Sequence, residues 1–175
     1  LVAWAAKGAP EGLEKDKPAP ATFVDGWTIG KPDIIVSFPK PVEIPASGNW
    51  EQSNLVVKAH FEKDMWVKAA EVRPGNPKVV HHMKAWIRPP NSNWLRNAPD
   101  GEACVPQRNQ GSDDSAPEVP FTGDGPRPMQ DILAKYNPGV EGQEFGTGNA
   151  AKFIAAGSDI VFEVHYTATG KPETD

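Results

Sequence analysis

The stretch Asp159–Thr167 reads DIVFEVHYT, and its alternation decides the fold class. Successive side chains on a strand point to opposite faces. Ile160, Phe162, Val164 and Tyr166 therefore share one face, and Val161, Glu163, His165 and Thr167 share the other. The first row is apolar throughout. The second mixes an apolar residue with a carboxylate, an imidazole and a hydroxyl.

Working outward, Lys78–Arg88 (KVVHHMKAWIR) reads as a second strong strand. Asn54–Phe61 places Leu55, Val57, Ala59 and Phe61 on one face, and His60 on the polar face with Asn54 and Lys58. Met65–Val72 follows the polar turn Glu62–Asp64, so these two runs read as a hairpin. Asp33–Phe38 and Val42–Ile44 are short, Pro-bounded strand candidates. Leu1–Lys7 reads as the last turns of a helix, with Gly8 as its cap and Pro10 as its stop. The Pro-rich run Lys15–Thr22 is an extended linker. Many short strands between Pro/Gly breaks indicate an antiparallel β-sandwich.

Composition agrees. Among 175 residues, 38% are apolar, enough for a core, and 19 are proline, roughly twice the usual share. Proline breaks helix interiors but sits well at turns and strand ends, so a long-helix bundle is excluded. No run approaches the ~18 apolar residues of a membrane span. The net charge of −5, without a Lys/Arg run, argues against nucleic acid, whose affinity rests on phosphate neutralisation. The single cysteine, Cys104, allows no internal disulfide and reads as a loop or partly buried thiol. From Pro89 to Gly148 periodicity is weak, and an acidic patch runs through Asp113, Asp114, Glu118 and Asp124. We read 89–137 as a Pro-rich irregular insertion, in which Gln130–Tyr136 (QDILAKY) fits one or two helical turns.

Four histidines occur, His60, His81, His82 and His165. Neutral imidazole offers a nitrogen lone pair at physiological pH, and three imidazoles without thiolate suit copper, zinc or iron. Neighbours on a regular strand face opposite ways. Either the strand bulges or ends at His81–His82, so that both meet one ion with His165, or one faces the core and the other solvent. His60 reads as a solvated side chain. Glu163, on the face of His165, would be the general base if the three histidines held a hydrolytic zinc; otherwise it reads as a solvated carboxylate or one that supports the histidines from behind. A third reading is a binding module for carbohydrate or protein. For that role Trp94 is the best exposed candidate, because Trp27, Trp50, Trp66 and Trp86 sit in or beside strand runs and read as core.

The run VVHHM at 79–83, followed by FEVHYT at 162–167, resembles the copper type II, ascorbate-dependent monooxygenases. That family includes peptidylglycine alpha-hydroxylating and dopamine beta-monooxygenases. The segments Gly26–Ile35, Ala69–Asn76, Tyr136–Gly139 and Ala155–Lys171 are similar to those around the same histidines in bacterial members. The resemblance spans about residues 22–175 and implies an N-terminal copper domain with a jelly-roll sandwich fold. It implies that His81, His82 and His165 bind the electron-transfer copper, that Met83 is a core residue, and that His60 is no ligand. The family's oxygen-activating copper needs a His-x-His pair and a methionine in a second domain. No His-x-His occurs here and no histidine follows His165. The chain is therefore expected to be an N-terminal half or a one-copper relative, inactive alone. Leu1–Gly12 resembles the closing helix of a c-type cytochrome domain, which makes 1–21 the tail and linker of such a domain and a haem the natural electron donor. The resemblance further implies a periplasmic or extracellular location in a bacterium.

Overall fold

A computed structural model describes residues 1–20, 22, 24–92, 94–95, 98–104, 131–140 and 142–175. The protein is all-β. Among the described residues the eleven strands in chain order are β1 (Glu43–Ile44), β2 (Asn49–Val57), β3 (Met65–Val67), β4 (Ala69–Ala70), β5 (Val80–Arg88), β6 (Ala103–Cys104), β7 (Ile132–Tyr136), β8 (Gln143–Glu144), β9 (Lys152–Ile154), β10 (Asp159–Thr167) and β11 (Glu173–Thr174). The one α-helix among the described residues is α1 (Val2–Ala6), followed by Gly8 at φ +81° as expected for a cap. No helix of the described residues is long and apolar enough to cross a membrane.

One five-stranded antiparallel sheet dominates, in the order β6-β2-β10-β5-β7. The pairs β1–β11, β3–β9 and β4–β8 form three separate two-stranded ribbons. The apolar row read in β10 faces the main core. Ile160, Phe162, Val164 and Tyr166 pack there with Leu55 and Val57 of β2 and with Val80, Met83, Ala85 and Ile87 of β5. The ribbons add Ile44 and Ile154 to the same core, so they cover that face of the sheet.

The opposite face is only partly covered. Val56, Val161 and Trp86 form a small second cluster, against which Trp94, Leu95 and Ala98 pack. Arg88 pins this cover. Its Nη1 donates to the carbonyls of Trp94 (3.2 Å) and Leu95 (2.8 Å), while Nε and Nη2 hold Asp159. The cover lies at the Arg88–Asp159 end of the central strands, away from the end that carries the histidines.

Several expectations are corrected. Asn54–Phe61 and Met65–Val72 do not form a hairpin. The strand is Asn49–Val57, paired with β10 and β6, and β3 pairs with β9 instead. The chain leaves the strand after Val57, and His60 at φ +50° breaks the extended backbone. Phe61 is still buried and Ala59 still packs on the core, so the apolar spacing was real without a ladder. Of the run Gln130–Tyr136, read as helical turns, Gln130 lies outside the described residues and Ile132–Tyr136 is instead the edge strand beside β5. A run this short is marginal as an isolated helix, whereas the open edge of β5 supplies backbone partners. The stretch 89–137, read as irregular, therefore contains two strands of the main sheet, β6 and β7. Asp33–Phe38 is no strand, although Val36 and Phe38 pack on the core and the Phe38 ring meets Phe162 edge-on at 5.0 Å. Residues 105–130, with the acidic patch and most of the proposed insertion, lie outside the described residues.

Candidate metal centre

The site is built by a mismatch between β10 and its neighbour β5. From Asp159↔Arg88 the two strands pair residue for residue as far as His165↔His82. The next pair is Tyr166↔Val80, so β5 carries one extra residue, His81. This is a β-bulge, in which two residues of one strand oppose one of the other. Its consequence shows in the burial. Val80 and Met83 are both in the core, at 3% and 2% exposure. His81 and His82, between them, are left to the other side. Strand β2 also shifts register against β10 between Val164 and Tyr166. Both neighbours of β10 are thus irregular beside His165.

The bulge brings the three imidazoles together. The His82 and His165 rings are 4.1 Å apart, centroid to centroid, tilted by 39°. The His81 ring lies 5.1 Å from His82 at 66°. One nitrogen from each histidine lies within 4.8 Å of those of the other two. Nitrogens at ~2.0–2.1 Å from a shared ion are about 3–4 Å apart, so small side-chain rotations complete the fit. His81 is exposed, while His82 and His165 are half-buried. Among the described residues no other group of histidine, cysteine or carboxylate side chains converges in this way.

At His82 the electrostatics favour a lone pair over a proton. Burial, above all, lowers the pKa of His82 below its ordinary value of 6.5, and the neighbouring His165, His81 and Lys84 lower it further, against a raising influence of Glu163. The sign of the linkage follows. Below about pH 6.5 an unfolded chain takes up the proton that folded His82 resists, so the stability contributed by neutral His82 is present above that pH and lost as pH falls through its lowered folded value. The urea midpoint of the metal-free protein is expected to drop between about pH 7.5 and pH 5.5. A His82→Gln variant should show a smaller drop, and an equal one would contradict this origin.

The other singled-out residues fall as follows. His60 is exposed on the turn after β2, not on a strand face, and stands apart from the cluster. Met83 is a core residue, on the face away from the imidazoles. Tyr166 also faces the core. Its hydroxyl donates to Asp175 Oδ2 at 3.0 Å, and burial, then the charge of Asp175, hold the phenol well above its usual range. Asn54 is not on a solvated face but buried at 3%. Cys104 lies in β6 opposite Asn54. Trp94 is half-buried against Trp86, whereas Trp66, read as core, is 70% exposed beside Phe153. A three-residue strand in a two-stranded ribbon has one face for the core, and Met65 and Val67 take it.

Glu163 is neither solvated nor free to act as a base. It is 6% exposed, and Lys84 Nζ donates to its Oε1 at 2.7 Å. Sequence reasoning overlooked Lys84 as its partner. The available signal was spacing: Lys84 stands two residues after His82, and Glu163 two residues before His165, on one face of antiparallel neighbours. Compared with known proteins, the chain matches no family model, no curated protein and no solved structure.

Proposed function

We propose that His81, His82 and His165 bind one copper ion and that the chain is a redox copper domain. The observation that carries this reading is the bulge at His81, which turns both members of the His-His step toward His165. Imidazole nitrogens bind Cu(II) most strongly among the divalent first-row ions, and no thiolate joins the cluster to favour a softer or structural site. Bound copper would supply one-electron exchange between Cu(I) and Cu(II). The chain's own contribution is to hold three imidazole nitrogens together on the sheet and to leave the His81 side open to solvent, where a redox partner can approach.

On this reading the chain belongs with the copper type II, ascorbate-dependent monooxygenases, as the N-terminal half of a two-copper enzyme. The support is the pair of histidine runs and their flanking segments, now joined by the convergence of the same three residues. The fold would be the family's jelly roll, with a Pro-rich insertion before β7. The oxygen-activating copper would lie in a second domain, the electron donor would be a haem c domain or cytochrome, and the location periplasmic or extracellular in a bacterium.

Metal analysis with electron paramagnetic resonance tests the proposal. We expect one copper per chain with a type II signal, reducible to a silent Cu(I) form. Bound zinc with no signal would favour the hydrolytic alternative, and no metal at all would favour a binding module. The copper-loaded chain by itself is expected to accept electrons but to hydroxylate nothing. Turnover of substrate by this chain alone would sink the electron-transfer assignment.

A further inference from the structure

Between β5 and β10 the outer face of the sheet carries a ladder of facing pairs. His82 faces His165, Lys84 faces Glu163, and Trp86 faces Val161. Same-face neighbours on a strand lie two residues apart, about 7 Å. The Lys84–Glu163 pair is therefore the rung next to the imidazoles. Its members are held in place. Glu163 is 6% exposed and accepts from Lys84 Nζ at 2.7 Å, and the same ammonium lies 5.7 Å from the centre of the Trp86 ring. On the far side of β5, Lys84 faces the exposed Lys135 across the β5–β7 ladder, so Glu163 is the one carboxylate among the named neighbours on this face.

A half-buried ion pair is a weak source of stability, because desolvation offsets most of its attraction. The next rung, Trp86 with Val161, shows that apolar residues pack this face without charges. The position of the pair beside three converging nitrogens is better explained by what it does to an ion there. We propose that Glu163 and Lys84 are positioning residues for the metal centre, a fixed carboxylate and a fixed ammonium that together set how strongly the site prefers a dication to a monocation. The proposal rests on the copper reading above. Coulomb energy scales with the charge of the ion, so a carboxylate one rung away favours Cu(II) over Cu(I), and an ammonium there does the reverse. Lys84 also fastens the Glu163 carboxylate at that rung, which keeps the centre an all-imidazole one.

The test is the affinity of the chain for Cu(II) and for Cu(I), each measured alone by chelator competition, with Zn(II) as a dication that has no redox chemistry. Glu163→Gln is expected to weaken Cu(II) and Zn(II) about tenfold and Cu(I) several times less. Lys84→Met is expected to move the Cu(II)/Cu(I) ratio in the opposite direction. The double variant Lys84→Met/Glu163→Gln leaves no unpaired charge, so it remains informative if a single variant folds poorly, and its ratio should return toward that of the unaltered protein. A pair that only supports the fold would move both single variants the same way, or neither, and either result overturns the proposal. If the unaltered chain binds no copper, the copper reading itself fails and takes this inference with it. That outcome is distinguishable because it requires no variant.

Discussion

Replacing His165 with Ala is expected to lower copper affinity by more than about a hundredfold and to leave the sheet folded. Even residues that only orient a ligand are worth 10–100-fold in metal affinity, so loss of a ligand must exceed that. His165 is the one donor on β10, and no other donor outside the cluster converges on the site among the described residues. None of the described residues can therefore replace it. Its side chain is half-buried on the outer face and belongs to neither apolar cluster, so its removal opens no core cavity. His82→Ala should behave alike, and His81→Ala should cost affinity although His81 is exposed. His60→Ala is the control and should bind copper as the unaltered chain does. Isothermal titration of the four variants, with circular dichroism to verify folding, decides the matter. Stoichiometric binding that survives both His81→Ala and His165→Ala would mean that the ion sits elsewhere.

The second large effect concerns stability. Ile160→Ala is expected to cost about 2–5 kcal/mol, the range for removing a fully buried branched side chain and leaving a cavity. Ile160 is 2% exposed and lies on the central strand of the sheet, flanked by Val57 on β2 and Ile87 on β5, both in the core. Against a total stability of ~5–15 kcal/mol, such a loss removes a large share. Trp66→Ala removes a larger side chain, yet Trp66 is 70% exposed, so a cost within about 0.5 kcal/mol is expected. Urea unfolding should show the Ile160→Ala midpoint displaced at unchanged slope. A cost no greater than that of Trp66→Ala would show that the apolar row of β10 does not face the core.

The sequence by itself determined the strand faces and named the candidate ligands. Period-2 alternation in Asp159–Thr167 assigned Ile160, Phe162, Val164 and Tyr166 to the core and Glu163 and His165 to the other side, and both assignments hold. Such alternation is local, since it follows from the strand backbone and needs no knowledge of partners. The same locality made the three histidines legible as a candidate metal-ligand set and showed that the strand had to bulge or end at His81–His82 for them to meet. Tertiary structure decided whatever depends on pairing. Ile132–Tyr136 became a strand only because β5 offered a free edge, and Asn54–Phe61 lost its hairpin partner because β10 took that place. Trp66 and Trp94 exchanged roles because exposure depends on what packs above a face, and a single strand does not specify that. The bulge itself is a register mismatch between chains far apart in sequence. Its position at His81 is settled only when Tyr166 pairs with Val80 and His165 with His82, with Val80 and Met83 both drawn into the core. Burial of those two residues forces the pair between them outward, and so two neighbouring histidines, which a regular strand would separate, point to one place.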